Sequence, residues 1–263
     1  MSIHITTEQI KELRDSTGIS IMQCKRALEE AEGDMKKALA ILKKTSSDIA
    51  LKKINRAVKD GAVIIKTQDK TTEKKAVLLS LLCETDFVSR NEDFTTLLAN
   101  LGDIAINDGV EKMKEKAKEM INLIIQKTGE NIQLGDAYEV SGNVLGNYVH
   151  NNKIAVIVSL VGGSAELARD LAMHITAMKP EYITEEEISE DAKKTMMEIF
   201  QKEIANVDKP ADIKKKMLDG KLTAYFKEKT LLNQSFIKNG EETVGELLAK
   251  AKAKIKEVKR YSI

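Results

Sequence analysis

Two nearly identical apolar strings, far apart in the chain, constrain its fold more than any other feature. One reads Ala-Val-Leu-Leu-Ser-Leu at 76–81, and the other reads Ala-Val-Ile-Val-Ser-Leu at 155–160. Each follows a second strand-like run, at 61–66 and 144–149, and each precedes an apolar pattern of helical period. We interpret this arrangement as an internal duplication of a hairpin-plus-helix unit, the alternative being chance similarity between two buried strands. Hairpins combined with helices predict an α+β fold.

Local signals place the turns and helices of the two units. A polar turn is predicted at 68–72, and Asn151 with Asn152 suits the positive φ of a tight turn in the second hairpin. The helices that follow are predicted at 94–106 and 165–178. An apolar stripe on the charged helix between the units favours a core face over a cofactor site. Its members are Met113, Ala117, Met120 and Ile124.

The first 45 residues predict three short helices, each with its own start signal. Thr6 and Gln9 form a capping box, and Ser20 repeats this pattern. Asp34 can cap the third helix. Apolar residues recur at helical spacing and would form one small core: Ile10, Leu13, Cys24, Ala27, Leu28, Ala31, Met35, Ala38, Leu39 and Leu42. So small a core favours an interaction module over a catalytic scaffold.

The segment that follows, 43–59, is rich in Lys and Arg, and Asp48 is its acid. A run of like charges favours a solvated tether between folded parts. A basic linker helix that contacts an acidic partner is the alternative.

Residues 184–228 predict an antiparallel coiled-coil hairpin inserted into the second unit. A capping box at Thr184 and Glu187 opens its first helix, and Pro210 suits the first turn of its second. Apolar residues could face each other across the pair: Ile188, Ala192, Met196 and Ile199 on one arm, and Ile213, Met217, Leu222 and Tyr225 on the other. The second unit then resumes and ends in a helix and a strand, which are favoured over an RNA-binding basic tail at 250–260.

These patterns divide the chain into parts. The prediction is a three-helix module with its linker at 1–54, a core subdomain at 55–140, a second core subdomain at 141–183 and 229–263, and the coiled-coil hairpin at 184–228. Each core subdomain would hold one copy of the duplicated unit. The length of 263 residues is ample for such cores.

The charge balance limits the classes of function. The chain has 42 Lys and Arg against 41 Asp and Glu, a formal net charge of +1. General affinity for nucleic acid needs a surplus of basic groups, so nucleic acid is not an expected partner. The N-terminus lacks the order of a signal peptide, and the apolar stretches are far shorter than the roughly 20 residues that span a bilayer. We therefore expect a cytoplasmic protein with no membrane partner.

The sequence lacks the motifs of catalysis. It contains no Gly-x4-Gly-Lys-Ser/Thr phosphate loop, no Gly-x-Gly-x-x-Gly turn and no His-Glu-x-x-His. Cys24 and Cys83 lack the spacing of a zinc site and are interpreted as small buried hydrophobes. A packing role is favoured for His174 on its apolar helix, whereas His150 at a hairpin tip either contacts a partner or is merely exposed. We therefore expect no catalytic residue, metal or cofactor.

The loop at 84–93 is different, because it places Asp86 beside Phe87 directly after a fully apolar strand. In one interpretation Phe87 folds into the core and Asp86 caps the next helix. In the other, Phe87 is exposed and anchors in the pocket of a partner. The residues alone leave both interpretations open.

Several motifs resemble those of the translation elongation factor Ts family. The stretch at 13–28, Leu-Arg-Asp-Ser-Thr-Gly-Ile-Ser-Ile-Met-Gln-Cys-Lys-Arg-Ala-Leu, is similar to the N-terminal signature of the family. Thr-Asp-Phe-Val at 85–88 is identical to its most distinctive motif. Ala-Met-His at 172–174, Lys-Pro-Glu at 179–181 and Thr-Val-Gly-Glu-Leu-Leu at 243–248 also fit. The similarity spans nearly the whole chain in the expected order.

The resemblance implies both a fold and a function. The fold would be a ubiquitin-associated-type three-helix module, a core of two related subdomains and a coiled-coil hairpin. The function would be guanine-nucleotide exchange on elongation factor Tu, in its GDP-bound and nucleotide-free forms. The protein would release GDP by disrupting the site of Mg²⁺ and phosphate, without covalent chemistry and without binding nucleotide itself.

The resemblance also implies which residues contact the partner. The residues near the Mg²⁺ site of elongation factor Tu would be Thr85, Asp86, Phe87 and Val88. The residues that bind its nucleotide domain would be Leu13, Ile21 and Met22. His150 would contact the partner elsewhere. Ile21 and Met22 stand at a helix start, where both cannot easily join the apolar stripe, so we expect at least Met22 to be exposed. Gln23 departs from the signature, in which Asp is common.

Two rival classes remain at this point. A stand-alone ubiquitin-associated-type adaptor would leave the core and the motif at 85–88 unexplained. An RNA-binding accessory of translation would need a clustered basic face, which a net charge of +1 does not guarantee.

Overall fold

The computed structural model describes residues 5–69 and 73–263 and contains both helices and sheets. The predicted turn at 68–72 therefore lies partly outside the described residues. The elements in chain order are α1 Thr7–Thr17, α2 Ile21–Glu30, α3 Met35–Lys53, β1 Asp60–Asp69, β2 Lys74–Cys83, α4 Asp86–Ser89, α5 Glu92–Asp108, α6 Val110–Thr128, β3 Ile132–Gly142, β4 Val144–His150, β5 Ile154–Val161, α7 Ala165–Met178, α8 Glu190–Ala205, α9 Ala211–Lys229, β6 Ser235–Phe236, β7 Asn239–Thr243, α10 Val244–Lys250 and β8 Lys254–Ser262.

The two repeated strings form the central strands of two antiparallel three-stranded sheets. β2 lies between β1 and β3, and β5 lies between β4 and β8. The second hairpin turns at Asn151 and Asn152, whose φ angles of 50° and 55° confirm the predicted positive-φ pair. The long connections between each hairpin and its third strand carry the helices.

Alternate residues of each central strand face a helical layer and the opposite sheet, as the pleat requires. In β2, Val77 and Leu79 belong to the core under α5 and α6, whereas Leu78 belongs to a cluster between the sheets. In β5, Val158 packs under α7 and α10, whereas Ile157 lies in the same inter-sheet cluster as Leu78. Corresponding residues of the two strings therefore occupy equivalent positions, in layers that run helix, sheet, sheet, helix.

The three N-terminal helices begin where the sequence predicts. The capping box of Thr6 and Gln9 is complete, and Asp34 accepts hydrogen bonds from two backbone N–H groups of α3. Ser20 accepts from the Gln23 N–H, without the reciprocal bond of a full box. The shared core is formed by Leu13, Ile19, Cys24, Ala27, Leu28, Ala31, Ala38 and Leu42, with Ile10 and Met35 packed against it. The predicted member Leu39 is instead 40% exposed.

The predicted solvated tether is wrong. Helix α3 continues to Lys53, and its second half packs on α6. Ser46 and Ala50 are buried there, and Lys43 pairs with Glu119 across the two helices at 2.9 Å. The basic residues of this stretch that belong to α3 lie away from its buried face, so the charge run does not interrupt the helix.

Helices α8 and α9 pack on each other in opposite directions. Lys214 reaches the carbonyl of Ala205 near one end, whereas Phe200 packs edge-on against Tyr225 farther along, with ring centroids 5.8 Å apart. The predicted start at Thr184 is wrong, because α8 begins at Glu190 with Ser189 as its N-cap and residues 185–187 form one 3₁₀ turn. The prediction of which apolar residues pack between the two helices is also only partly right, since Ile199 and Ile213 are exposed.

The paired helices emerge from the second sheet layer at a narrow base. The Glu181 and Tyr182 N–H groups both donate to the carbonyl of Lys229, at 2.9 and 3.1 Å, and Tyr182 bridges to Thr230.

Among the helices of 5–69 and 73–263, none combines the length and apolarity needed to cross a bilayer.

Candidate protein-binding site

The loop after β2 forms the four-residue helix α4, and its first turn points Phe87 into solvent. The Phe87 side chain is 85% exposed. Asp86 beside it is also exposed and pairs with Arg90, one turn on, at 3.4 Å. The structure therefore supports the second interpretation of this loop, in which an acid and an aromatic side chain are presented together at the surface.

The other half of the same turn faces inward. Val88 is 9% exposed and belongs to the core cluster of the first sheet. Ser89 is buried, and its hydroxyl donates to the carbonyl of Asp86 at 3.2 Å. Val88 therefore fixes the turn to the core, whereas its neighbours Asp86 and Phe87 are exposed to solvent.

Glu130 holds the start of this turn through three hydrogen bonds. One carboxylate oxygen, Oε2, accepts from the backbone N–H groups of Glu84 and Thr85 at 3.1 and 3.0 Å. The other, Oε1, accepts from the Thr85 hydroxyl at 2.6 Å. Sequence reasoning missed Glu130, because it lies 45 residues from Thr85 and stands in no motif that signals the contact.

Cys83, at the end of β2, is part of this support and not a nucleophile. It is buried, and its thiol donates to the carbonyl of Thr85 at 3.2 Å. Burial raises the pKa of Cys83 to about 12, and the negative charges of Asp60 and Glu130 act in the same direction. A thiol with so high a pKa carries almost no thiolate at neutral pH. The interpretation of both cysteines as buried hydrophobes is confirmed.

A second exposed apolar pair lies on the first turn of α2. Ile21 and Met22 are 53% and 60% exposed, which confirms the expectation that Met22 is exposed. Leu13 is completely buried in the core of the three helices. This burial contradicts the expectation that Leu13 contacts a partner directly. Its side chain packs beneath α2, the helix that presents Ile21 and Met22.

His150 is exposed at the tip of the second hairpin. Its Nδ1 lies 3.2 Å from the Tyr148 hydroxyl. The same hairpin reaches the first sheet through Lys153, whose Nζ donates to Asp60 Oδ1 at 2.6 Å and lies 3.5 Å from the Ser89 hydroxyl of α4. The hairpin that carries His150 therefore abuts the turn that carries Phe87.

His174 is confirmed as a packing residue. It is fully buried, and its Nε2 lies 2.9 Å from Gln234 Oε1.

Within residues 5–69 and 73–263, no three His, Cys, Asp or Glu side chains come together in a group that could hold a metal ion. The surface presents the exposed apolar side chains of Ile21, Met22 and Phe87 beside polar and charged neighbours, which is the character of a protein-binding surface.

Comparison with known proteins identifies the family. The family model described as elongation factor TS matches residues 84–263. The elongation factor Ts of Hahella chejuensis is 39% identical over 264 residues, which cover 98% of this chain and 92% of the relative. That of Thioalkalivibrio sulfidiphilus is 35% identical over 271 residues, with 98% and 92% covered. The chain belongs to the elongation factor Ts family.

Proposed function

We propose that the protein is a guanine-nucleotide exchange factor for elongation factor Tu and acts in the cytoplasm during translation elongation. It would bind the GDP complex of that partner, promote release of GDP and leave the site free for GTP. Family membership supports the class of activity. The observation that carries the proposal is the exposed Asp86–Phe87 pair, held on a short turn between a buried strand and a helix that packs on the sheet.

The physical requirement for such an activity is differential binding. A G protein holds GDP through the amides of its phosphate loop and through Mg²⁺. A protein that binds the nucleotide-free form more tightly must weaken nucleotide binding by the same factor, because linkage is reciprocal. Phe87 would act as a wedge in the nucleotide domain, while the Asp86 carboxylate perturbs the groups around Mg²⁺. Thr85 and Val88 would orient the side chains of Asp86 and Phe87 toward the partner.

Two further surfaces would supply affinity. Ile21 and Met22 would dock on the nucleotide domain, where desolvation of exposed apolar side chains stabilises a complex. His150 would touch the partner elsewhere. We also propose that nucleotide, nucleic acid and membranes are not ligands of this protein, and that it performs no covalent chemistry.

The domain division belongs to the same proposal. The N-terminal module at 1–54, the core subdomains at 55–140 and at 141–183 with 229–263, and the coiled-coil hairpin at 184–228 would be separate functional parts. The second half of α3 packs on the core in place of the predicted linker. The equivalent positions of the repeated strings in the two sheets support a duplicated core. The mutual packing of α8 and α9 supports a hairpin that projects from it.

Release of a fluorescent GDP from the cognate elongation factor Tu tests the proposal. The expected result is a release rate that rises with the concentration of this protein and then saturates. An adaptor or an RNA-binding accessory would leave the rate at its spontaneous value. A rate that is unchanged at saturating concentration would therefore contradict the proposed function.

A further inference from the structure

We propose that Glu130 is a positioning residue, which sets the direction of Phe87 by holding the backbone on which it stands. The inference rests on the proposed function of the Asp86–Phe87 pair. The hydrogen bonds of Glu130 go to Glu84 and Thr85 and not to these two side chains, so it would act on a partner only through the turn.

The turn needs support from elsewhere in the chain. Helix α4 has four residues, far fewer than an isolated helix needs to persist in water. Its N-cap residue, Thr85, makes no capping hydrogen bond with its own side chain. The Thr85 hydroxyl, which would ordinarily accept from the first turn, instead donates to Glu130 at 2.6 Å. The orientation of the helix is thus fixed by a tertiary contact.

The carboxylate is well placed for this task. Glu130 directly follows the left-handed Gly129, which ends α6, so the chain reverses and brings Glu130 back toward the end of β2. Hydrogen bonds from neutral donors to a carboxylate are roughly twice as strong as those between neutral groups. Three of them converge on Glu130, two from backbone N–H groups and one from a hydroxyl.

A reciprocal contact locks the same two segments together. The Asn131 N–H donates to Glu84 Oε1 at 2.6 Å, while the Glu84 N–H donates to Glu130 at 3.1 Å. The Glu84 carboxylate also pairs with Arg56 at 3.5 Å. Hydrogen bonds in both directions therefore join residues 84–85 to residues 130–131 at the base of the turn.

Substitutions of Glu130 separate its geometry from its charge. In E130Q, the amide oxygen can accept from both N–H groups, and the amide nitrogen can donate to the Thr85 hydroxyl. In E130A all three bonds are lost. The matched control is E246A, which removes another carboxylate that accepts a backbone N–H, from Thr243 at 2.8 Å, in the capping box of α10.

The experiment measures GDP release from elongation factor Tu with the full-length variants, beside their thermal melting. We expect E130A to reduce stimulated release by about tenfold, E130Q by less than about twofold, and E246A not at all. In the Phe87→Ala background, E130A should reduce release by less than about twofold further, because the residue through which it acts is already gone.

Three results would overturn the proposal. One is normal exchange by E130A. Another is an equal fold loss from E130A in the presence and absence of the Phe87 side chain, which would mean that Glu130 acts independently of it. If E130A does not fold, Glu130→Asp is tested in its place, because its shorter side chain cannot reach all three donors. Normal exchange by Glu130→Asp would be the third result. A wild-type protein that does not stimulate release refutes the proposed function instead.

Discussion

Phe87 stands in water although it is among the most apolar side chains of the protein, and 85% of it is exposed. Its neighbour Val88, on the same turn, is buried. The turn thus separates a side chain that stabilises the fold from one that contributes little to it. Substitution of the exposed residue should therefore affect binding and leave the fold intact.

Phe87→Ala is predicted to reduce stimulated GDP release by about tenfold or more, since each 1.4 kcal/mol of lost differential binding is a factor of ten. Asp86→Ala should act in the same direction. Circular dichroism should show nearly normal melting in both variants, because neither side chain is buried. A Phe87→Ala variant that loses about 3–5 kcal/mol of stability, as a core Phe would, yet exchanges normally per folded molecule would refute the wedge.

Met22→Ala is predicted to weaken the complex with elongation factor Tu by about 1–2 kcal/mol while melting normally. The matched comparison is Leu13→Ala in the same module, where a buried Leu is lost and about 2–5 kcal/mol of stability should go with it. Titration calorimetry and thermal melting of both variants separate the roles. Unchanged affinity together with a clear fall in the melting temperature of Met22→Ala would place that residue in the core.

His174 predicts a pH dependence of stability. Its Nε2 lies against Gln234 Oε1, and its Nδ1 accepts from the Ile237 N–H at 3.3 Å, so the neutral ring satisfies both neighbours. Burial lowers the pKa of His174 in the folded protein, although the bond to Gln234 opposes this. The unfolded chain therefore binds more protons below about pH 6.5, and stability should fall as the pH drops through that value. An NMR titration in which the folded His174 ring protonates at its usual pKa would contradict this.

At the scale of elements, contacts within a few residues could be predicted from the sequence, and contacts between distant segments could not. The caps at Thr6 and Asp34 depend on donors two or three residues away, and both are present. The box predicted at Thr184 precedes only a 3₁₀ turn, and α8 begins after Ser189, which the sequence pattern did not single out. The packing of α3 on α6 and the bonds of Glu130 to residues 84–85 join segments far apart in the chain, which local patterns do not record.

Excision of residues 184–228, with a short linker from Ile183 to Lys229, is predicted to leave the remaining core folded. The reason is that α8 and α9 pack mainly on each other and join the core at a narrow base. Stimulated release should fall only partly, by about two- to tenfold. The control Glu203→Ala, which removes an exposed ion pair to Lys221, should change neither property. Global unfolding of the excised protein would show that the segment is integral to the core.

At the scale of the whole molecule, the end of α6 connects the two exposed apolar surfaces. Gln126 Nε2 donates to Gln23 Oε1 at 3.2 Å, beside Met22 on the N-terminal module. Asn131 donates to the carbonyl of Arg56, in the connection from α3, at 2.7 Å. Between these two contacts lies Glu130, which holds the turn of Phe87. The module is therefore packed against the core, and these contacts set the spacing between the two exposed surfaces.

Ala50→Glu tests whether this fixed spacing matters. Ala50 is buried where α3 packs on α6, outside the core of the three N-terminal helices, so a carboxylate there should detach the module without unfolding it. The two surfaces would then bind through a loose connection, at a lower effective concentration, and the affinity for elongation factor Tu should fall by about tenfold or more. The control Lys43→Ala removes only an exposed ion pair across the same helices and should have little effect. Titration calorimetry that finds wild-type affinity in Ala50→Glu, with the module shown to be mobile by NMR relaxation, would mean that the surfaces bind independently of their spacing.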